Sequence, residues 1–211
     1  MQLSRAEISA MEKRYRAAFV NSLSGFKSAN LIGTISTGGA HNLCMVSSVV
    51  HLGSDPALLA FMSRPHTVRR DTLENIHATG QFTINHVRDE FFEAAHQTAA
   101  RYEAEDSEFD AAGLTPETGA SLAAPYVAGS PVQIGLEHRQ TIDIELNGCH
   151  MVIGEIIEVR LAAELVADDG SVDLGQAGSL VVSGLDHYHQ TRSVARLSYA
   201  KPDLPVHRLS A

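Results

Sequence analysis

The stretch 63–76, SRPHTVRRDTLENI, brings together residue types that bind phosphate. Three basic side chains follow the end of an apolar run: Arg64, Arg69 and Arg70. A helix is then predicted from Asp71, which pairs with Glu74 as a capping box. A helix N-terminus offers unpaired backbone amides and partial positive charge, and Thr72 adds a hydroxyl, so the stretch predicts a cradle for a phosphate monoester. The alternative is a solvated helix start that carries several arginines.

A second polar cluster, NLCMVSS at 42–48, contains Asn42, Ser47 and Ser48 around an apolar run. Polar groups in this place can bond to the edge of a flat heterocycle. Because successive strand residues face opposite ways, one serine can point into a pocket while the backbone of the other does the bonding. The alternative is that these serine hydroxyls form hydrogen bonds inside a barrel and bind no ligand. Asn85, near the end of another apolar run, either bonds a ligand or closes a turn.

Other kinds of site find little support in the sequence. His187 and His189 in DHYH can share one side of a strand, but without an H-E-x-x-H motif or a cysteine ligand set no metal site is predicted. The absence of a G-x-S-x-G elbow argues against a Ser-His-Asp hydrolase. No G-x-G-x-x-G fingerprint opens a helix, so any nicotinamide nucleotide is expected to be a transient substrate.

Charge and cysteine content narrow the class of protein. The net charge of −9 argues against a general nucleic-acid or membrane-surface binder, while a local basic pocket for one phosphate remains compatible with it. Cys44 and Cys149 are too few for a disulfide framework and are expected to be buried free thiols. The N-terminal stretch carries charges where a signal peptide needs an apolar run, and no run reaches the roughly 18 apolar residues of a membrane helix, so a cytoplasmic protein is expected.

The predicted elements are one N-terminal helix and many short strands. Ser4 and Glu7 form a capping box for a helix over about 4–19. Turn residues separate the strands, which predicts a closed barrel or a sandwich, and Asn147-Gly148 predicts a hairpin. The strands are predicted at 31–37, 44–51, 57–63, 81–87, 132–138, 141–146, 151–161 and 179–183, with small helices at 71–80, 90–99 and 107–113. Residues 113–131 are predicted to be a long surface loop, and no linker divides the chain into two domains.

The order and spacing of these segments resemble the flavin reductase-like family over nearly the whole chain. The matching stretches are NSLSGFKSANLIGT (21–34), NLCMVSSVVHLGSDPALLAFMSRP (42–65), RDTLENIHATGQFTINHV (70–87), HQTAARY (96–102), SEFDAAGLTPE (107–117), SPVQIGLEH (130–138) and VIGEI (152–156), with SGLDHYH (183–189) and RLSYAKP (196–202) near the end. The resemblance implies a mainly β fold, an FMN-binding split barrel with small peripheral helices. It implies one domain over 1–211, with the barrel at about 30–185 and a tail at 186–211, and it implies a homodimer.

The resemblance also implies which residues bind the cofactor. The strand MVSSVV would line the isoalloxazine ring, so its ring-edge candidates are Ser47, Ser48 and Val49, with Asn42 as a further candidate. Ser63 and Arg64 would meet the ribityl phosphate, and the basic-Asp-Thr step gives Arg70 and Thr72 as phosphate ligands. Further candidates near the cofactor are Asn85, Thr98 and His96.

Several nicotinamide-using members of the family carry a Gly-Asp-His step, which here becomes Gly148-Cys149-His150. The histidine is present, so His150 is a candidate catalytic residue, but Cys149 replaces the aspartate. A structural or solvent-exposed histidine is the alternative. The flavin itself would carry the chemistry, so no amino-acid acid or base is strictly required.

The resemblance predicts an FMN-binding oxidoreductase that takes electrons from NADH or NADPH and passes them to an acceptor, for example a partner oxygenase. FAD is a possible substitute for FMN. Two alternatives stay open. One is an FMN-binding electron carrier without nicotinamide turnover. The other is a split barrel that has lost the flavin and serves as a haem-binding or interaction protein.

Overall fold

The N-terminal segment forms two short helices rather than the single helix predicted over 4–19. The computed structural model describes residues 1–103 and 106–209. Helix α1 is Arg5–Ala10, with the predicted capping box of Ser4 and Glu7, and α2 is Lys13–Leu23. The backbone at Glu12 is extended (ψ 143°), and its carboxylate accepts hydrogen bonds from the first backbone amides of α2. Glu12 therefore starts a new helix, which the predicted single helix overlooked.

Three further helices are short, and they lie close to where they were predicted. They are α3 (Asp71–Thr79), α4 (Phe92–Gln97, preceded by a 3-10 turn at Asp89–Phe91) and α5 (Glu108–Ala112). Glycines in the left-handed conformation end α3 and α5, at Gly80 and Gly113. The predicted cap of α3 is wrong. Arg70 is the N-cap residue and makes no side-chain capping bond, while Asp71 is the first residue inside the helix.

A seven-stranded antiparallel sheet forms the barrel. Its strands are β2 (Asn30–Ile35), β3 (His41–Val46), β4 (Val50–Ser54), β5 (Ala57–Ser63), β6 (Gln81–His86), β9 (Val132–Ile144) and β10 (Cys149–Leu161), in the order β3-β2-β6-β9-β10-β5-β4. The two edge strands are consecutive in the chain and only residues 47–49 join them. The sheet therefore curls back on itself, as the predicted split barrel requires.

The structure divides the predicted strands differently at two places. The run predicted at 44–51 breaks at Ser47-Ser48-Val49, and the runs at 132–138 and 141–146 form the single strand β9. A register shift opposite Ile153 and Gly154 lets β9 continue through Arg139. The hairpin predicted at Asn147-Gly148 joins β9 to β10.

Apolar side chains fill the barrel. Phe61 and Phe82 meet edge to face with ring centroids 5.6 Å apart, and Gly154 leaves room for them, since a Cβ there would lie 2.6 Å from the Phe82 ring. The other buried members of this cluster are Ile32, Leu73, Ile76, Ile84, Leu136 and Val152. Leu73 and Ile76 belong to α3, so burial of that helix face fixes the helix against the barrel.

The segment predicted as a surface loop, 113–131, is packed against the barrel instead. It contains the small strands β7 (Pro116–Glu117) and β8 (Tyr126–Val127), and Leu122, Ala124 and Tyr126 are buried. A Cβ on Gly33 would lie 2.2 Å from the carbonyl oxygen of Pro125. The segment therefore closes one side of the barrel at a distance that only glycine allows.

The C-terminal region adds small sheets outside the barrel. Strand β11 (Val181–Ser183) pairs with β1 (Lys27–Ser28) and with β12 (His187–His189), and β13 (Arg196–Leu197) pairs with β14 (Arg208–Leu209). A second apolar cluster, which includes Leu43, Phe109 and Val182, packs α4 and α5 between this region and β3. Across the described residues, no helix combines the length and apolar character needed to cross a bilayer.

Candidate functional site

A cavity of about 690 Å³ lies at one end of the barrel, where the ends of β3 and β5 meet the start of α3. The segment 96–103 and α5 complete its wall. It brings together nine of the residues predicted to lie at the cofactor: Asn42, Ser47, Ser48, Ser63, Arg64, Arg70, Thr72, His96 and Thr98. The residues come from five separate stretches of chain, and the fold of the barrel end is what gathers them.

The arginines at this cavity differ in their partners. Nε of Arg69 lies 2.7 Å from Oδ1 of Asp71, so that arginine is already paired. Nε of Arg70 is buried and has no hydrogen-bond partner among the described residues. A buried donor without a partner costs free energy. Because Arg70 is the N-cap residue of α3, an anion bound at the start of this helix would accept its hydrogen bond.

Acidic side chains also line the cavity, and the sequence interpretation had not included Glu108. Its carboxylate accepts a hydrogen bond from the backbone amide of Leu43 at 3.0 Å, and both of its oxygens share a hydrogen bond from Nδ2 of Asn42. Burial raises the pKa of Glu108 above its usual range, although these hydrogen bonds oppose the shift. The sequence places Glu108 at the start of a predicted helix, but nothing local shows that it reaches β3.

Cys44 is a further lining residue that the prediction treated only as a buried thiol. Burial raises the pKa of its thiol, with the Glu108 carboxylate adding to the shift and Thr72, Arg64 and Arg70 opposing it. The group therefore stays neutral at pH 7 and adds no negative charge beside the arginines. The other cysteine, Cys149, is also free.

The two predicted ring-edge serines have different surroundings. Oγ of Ser48 accepts a hydrogen bond from the amide of Met62 at 3.0 Å and lies 3.3 Å from the Met62 carbonyl oxygen. It therefore ties the β3–β4 junction to β5. Ser47, next to it, lines the cavity. Both serines therefore line the cavity, and the hydroxyl of Ser48 is in addition bonded to the backbone of β5.

Three predicted site residues do not line this cavity. Val49 packs against the apolar core of the barrel. Asn85 is buried, donates hydrogen bonds to the carbonyl of Leu31 and to Thr83, and accepts one from the amide of Val127 at 3.0 Å. Asn85 thus joins the packed segment 113–131 to β6.

His150 is the third, and it lies outside the cavity wall on β10, directly across from Ser63 of β5. Its Nδ1 lies 2.7 Å from Oδ1 of Asp143, the residue opposite it on β9. Asp143 therefore supplies a carboxylate to the histidine although the preceding residue is Cys149. A cross-strand partner of this kind cannot be found from a three-residue motif.

The segment 96–103 forms part of the cavity wall. Thr98 is buried and its hydroxyl donates to the carbonyl of Ala95 at 2.7 Å, which ends α4. Nδ1 of His96 lies 2.9 Å from the hydroxyl of Tyr188, and burial raises the pKa of that tyrosine to about 12. This contact holds the cavity wall to strand β12.

Elsewhere on the molecule, ring centroids of His187 and His189 are 4.1 Å apart, and His189 bonds to Ser183. Within residues 1–103 and 106–209, no group of three or more His, Cys, Asp or Glu side chains is arranged to hold a metal ion.

The residues at the start of α3 fit the phosphate of a flavin mononucleotide. The helix has no side-chain cap, so backbone amides of its first turn remain available as donors. Arg70 offers its buried Nε–H, and Arg64 lines the same wall. The negative charge of Asp71 is offset by Arg69 at 2.7 Å. A donor set of guanidinium and helix-end amides is the usual chemistry of phosphate binding.

Comparison with known proteins agrees with this geometry. Residues 23–184 match the model of the flavin reductase like domain. A candidate flavin reductase with a split barrel domain from Shewanella frigidimarina is 46% identical, with a TM-score of 0.91 over 95% of this chain and 100% of that one. The protein is therefore a split-barrel protein of the flavin-dependent class. Specifically, the chain belongs to the flavin reductase-like family.

More distant structures share the fold. Nitrilotriacetate monooxygenase component B from Bacillus cereus is 17% identical, with a TM-score of 0.81 over 93% of this chain and 98% of that one. Flavoredoxin from Desulfovibrio vulgaris is 21% identical, with a TM-score of 0.70 over 96% of this chain and 98% of that one. The family match supports an oxidoreductase that works with a flavin.

Proposed function

We propose that this protein binds FMN at the cavity and is an oxidoreductase that uses NADH or NADPH as electron donor. The observation that supports it most is the buried Nε of Arg70, which has no hydrogen-bond partner in the described part of the chain, beside an N-terminus of α3 that has no side-chain cap there. These donors suit a phosphate monoester. Riboflavin lacks that group, and in FAD the corresponding phosphate is part of a pyrophosphate and carries less charge. FMN is therefore the proposed cofactor, with FAD as the substitute to be tested.

The phosphate would be held by Arg70, Arg64 and the first-turn amides of α3. The ring would lie toward Ser47 and the wall formed by 96–103. Bound flavin would supply the redox chemistry, accepting a hydride from the reduced nicotinamide and passing electrons to an acceptor. The chain would contribute orientation, since its fixed donors hold one end of the cofactor while the barrel end shapes the rest.

An FMN-binding electron carrier without nicotinamide turnover is the second candidate. It is favoured by the position of His150, which lies outside the cavity wall, and by Cys149 in place of the aspartate of the Gly-Asp-His step. The shared fold with flavoredoxin is compatible with it. In this case another protein would reduce the flavin.

We also propose a homodimer in the cytoplasm. Helices α1 and α2 bury none of their residues, and Phe26 and Tyr199 are 68% and 87% exposed, so both ends of the chain present apolar side chains that a second copy would cover. Free cysteines suit a reducing compartment. The fold shared with a monooxygenase component makes a partner oxygenase the proposed acceptor.

Anaerobic mixing of the FMN-loaded protein with NADH, and separately with NADPH, tests the reductase function. Loss of the flavin absorbance band within seconds with one nucleotide is the expected result, and it identifies the donor. Binding of FMN without reduction by either nucleotide would instead favour the electron carrier. A protein that stays colourless with FMN and FAD would contradict both.

A further inference from the structure

Asn42 occupies the centre of a hydrogen-bond network at the rim of the cavity. Its Oδ1 accepts from Thr72 Oγ1 at 2.8 Å and from Thr34 Oγ1 at 3.1 Å. Its Nδ2 donates to both carboxylate oxygens of Glu108, at 2.9 and 2.8 Å. The network therefore joins three elements, with Asn42 on β3, Thr72 in the first turn of α3, and Glu108 in the first turn of α5.

The amide of Asn42 has one favourable orientation in this network. An ionised carboxylate only accepts hydrogen bonds, so it must face the NH₂ group of Asn42. Turning the amide over would place its oxygen against the carboxylate and its NH₂ group against the hydroxyl of Thr72. Glu108 is itself held by the backbone amide of Leu43 at 3.0 Å. The orientation of Asn42 thus follows from its partners.

The acceptor side of Asn42 is used in full. An amide oxygen has two lone pairs, and the hydroxyls of Thr72 and Thr34 occupy both. The two contacts to Glu108 share one N–H, because the oxygens of one carboxylate are too close together to face both hydrogens of a planar NH₂ group. Contact between a flavin ring and Oδ1 would therefore require breaking a bond of the network. Thr72 has the same restriction on the donor side, because its one hydroxyl hydrogen points to Asn42 and is not free for a phosphate.

We infer that Asn42 is a positioning residue of the phosphate site and does not bind the flavin ring. This inference rests on the proposed FMN site. Asn42 ties the first turn of α3 to β3 and α5 through Thr72, and Arg70 lies two residues before Thr72 at the N-cap of the same helix. This link fixes the position of the start of α3, whose first-turn amides and Arg70 guanidinium would hold the phosphate. Thr72 acts as the connection rather than as a phosphate donor.

Paired affinities for FMN and riboflavin separate the two roles. A residue that touches the ring affects both ligands equally, whereas a residue that positions the phosphate site affects FMN alone. We expect Asn42→Ala to weaken FMN binding by about tenfold and riboflavin binding by less than about twofold, the scale of one or two lost hydrogen bonds. Flavin fluorescence titration measures both dissociation constants without any need for turnover.

Variants at Thr72 keep the inference testable if Asn42→Ala does not fold. Thr72→Val removes the hydroxyl and should reduce FMN affinity selectively, while Thr72→Ser keeps the hydroxyl and should behave as the wild type. The double variant Asn42→Ala/Thr72→Val should be no weaker than Asn42→Ala alone, because both changes break the same link. Thr191→Val, at an exposed threonine outside this cavity, is the matched control.

Each of the following results would overturn the inference. An equal loss for FMN and riboflavin in Asn42→Ala would show direct contact with the ring. Losses from Asn42→Ala and Thr72→Val that multiply in the double variant would show that Thr72 contacts the phosphate independently. A wild-type protein that binds neither ligand would defeat the proposed function and the inference together. A wild type that prefers FMN, with the same preference retained in Asn42→Ala, would defeat the inference alone.

Discussion

Arg69 is paired through its Nε with Oδ1 of Asp71 at 2.7 Å, while the neighbouring Arg70 has a buried Nε without a partner in the described part of the chain. The two arginines are adjacent in sequence and equal in charge. Only their surroundings distinguish them, since Arg69 is more than half exposed and offsets a carboxylate. Arg70 is therefore the one expected to hold a ligand anion.

The first prediction compares these two arginines. We expect Arg70→Ala to weaken FMN binding by about 1.5–3 kcal/mol, the range for hydrogen bonds to charged groups, and to leave riboflavin little affected. Arg69→Ala is the control for lost charge and should cost less, because its guanidinium is exposed and already paired. Isothermal titration calorimetry with both ligands measures the difference. Equal losses for the two variants would argue against a specific role for Arg70.

The second prediction concerns Ser48, which we assign to the backbone of β5 rather than to the ring. Removing its hydroxyl in Ser48→Ala leaves the amide of Met62 without a partner, so the free energy of unfolding should fall by about 1–2 kcal/mol. Ser47→Ala should leave stability unchanged and alter flavin affinity instead. Urea denaturation of the two variants checks this. The assignment fails if Ser48→Ala is as stable as the wild type.

The third prediction follows from His86, whose Nδ1 lies 2.9 Å from Oγ of Ser179. Burial lowers the pKa of this histidine from 6.5 to about 4. The unfolded chain therefore binds the proton more readily than the folded one, and folding stability is lost as the pH falls below 6.5. The contribution between pH 7 and pH 5 is about 2 kcal/mol.

His86→Gln should remove that part of the pH dependence, because glutamine does not titrate. Urea denaturation at pH 7 and pH 5 for both proteins gives the difference, and other ionisable groups cancel in the comparison. An unchanged pH dependence in the variant would mean that His86 takes up its proton as easily when folded as when unfolded.

The fourth prediction tests the packing of residues 113–131 on the barrel. Gly33→Ala would place a Cβ 2.2 Å from the Pro125 carbonyl oxygen and 2.5 Å from Thr83 Oγ1. The backbone must move to relieve the overlap, so the free energy of unfolding should fall by about 1–3 kcal/mol or more. Gly38→Ala is the control, since its nearest contact would be an ordinary 3.7 Å. Thermal unfolding of the two variants measures the difference. Equal melting temperatures would rule out the close approach of Pro125 to Gly33.

The sequence predicted the barrel well because its strands are marked locally. The apolar run that follows the turn residues Asp55-Pro56 identifies β5 at 57–63 without error, and Asn147-Gly148 identifies the hairpin. The helix break at Glu12 and the burial of Tyr126 were not predicted. The first depends on a carboxylate that caps the next turn, and the second on a glycine elsewhere in the chain that lets the segment approach.

The candidate site was predicted in outline and its internal roles were not. Local residue types marked Arg70 and Ser47 as candidates, and the structure brings both to one cavity. They could not show that the side chain of Asn42 is hydrogen-bonded to Glu108, which lies 66 positions further along the chain. They also could not show that Asp143 faces His150, because strand register sets that contact. Partners that are distant in sequence decide which polar residues remain free for a ligand.

The ratio of wild-type affinities for FMN and riboflavin tests the central claim most directly. The phosphate is the only difference between the two ligands, so the ratio reports the contribution of the site at the start of α3. We expect FMN to bind at least about tenfold more tightly, consistent with charge-assisted hydrogen bonds from Arg70 and the helix amides. Equal affinity for the two ligands would contradict the assignment of this cavity as a phosphate site.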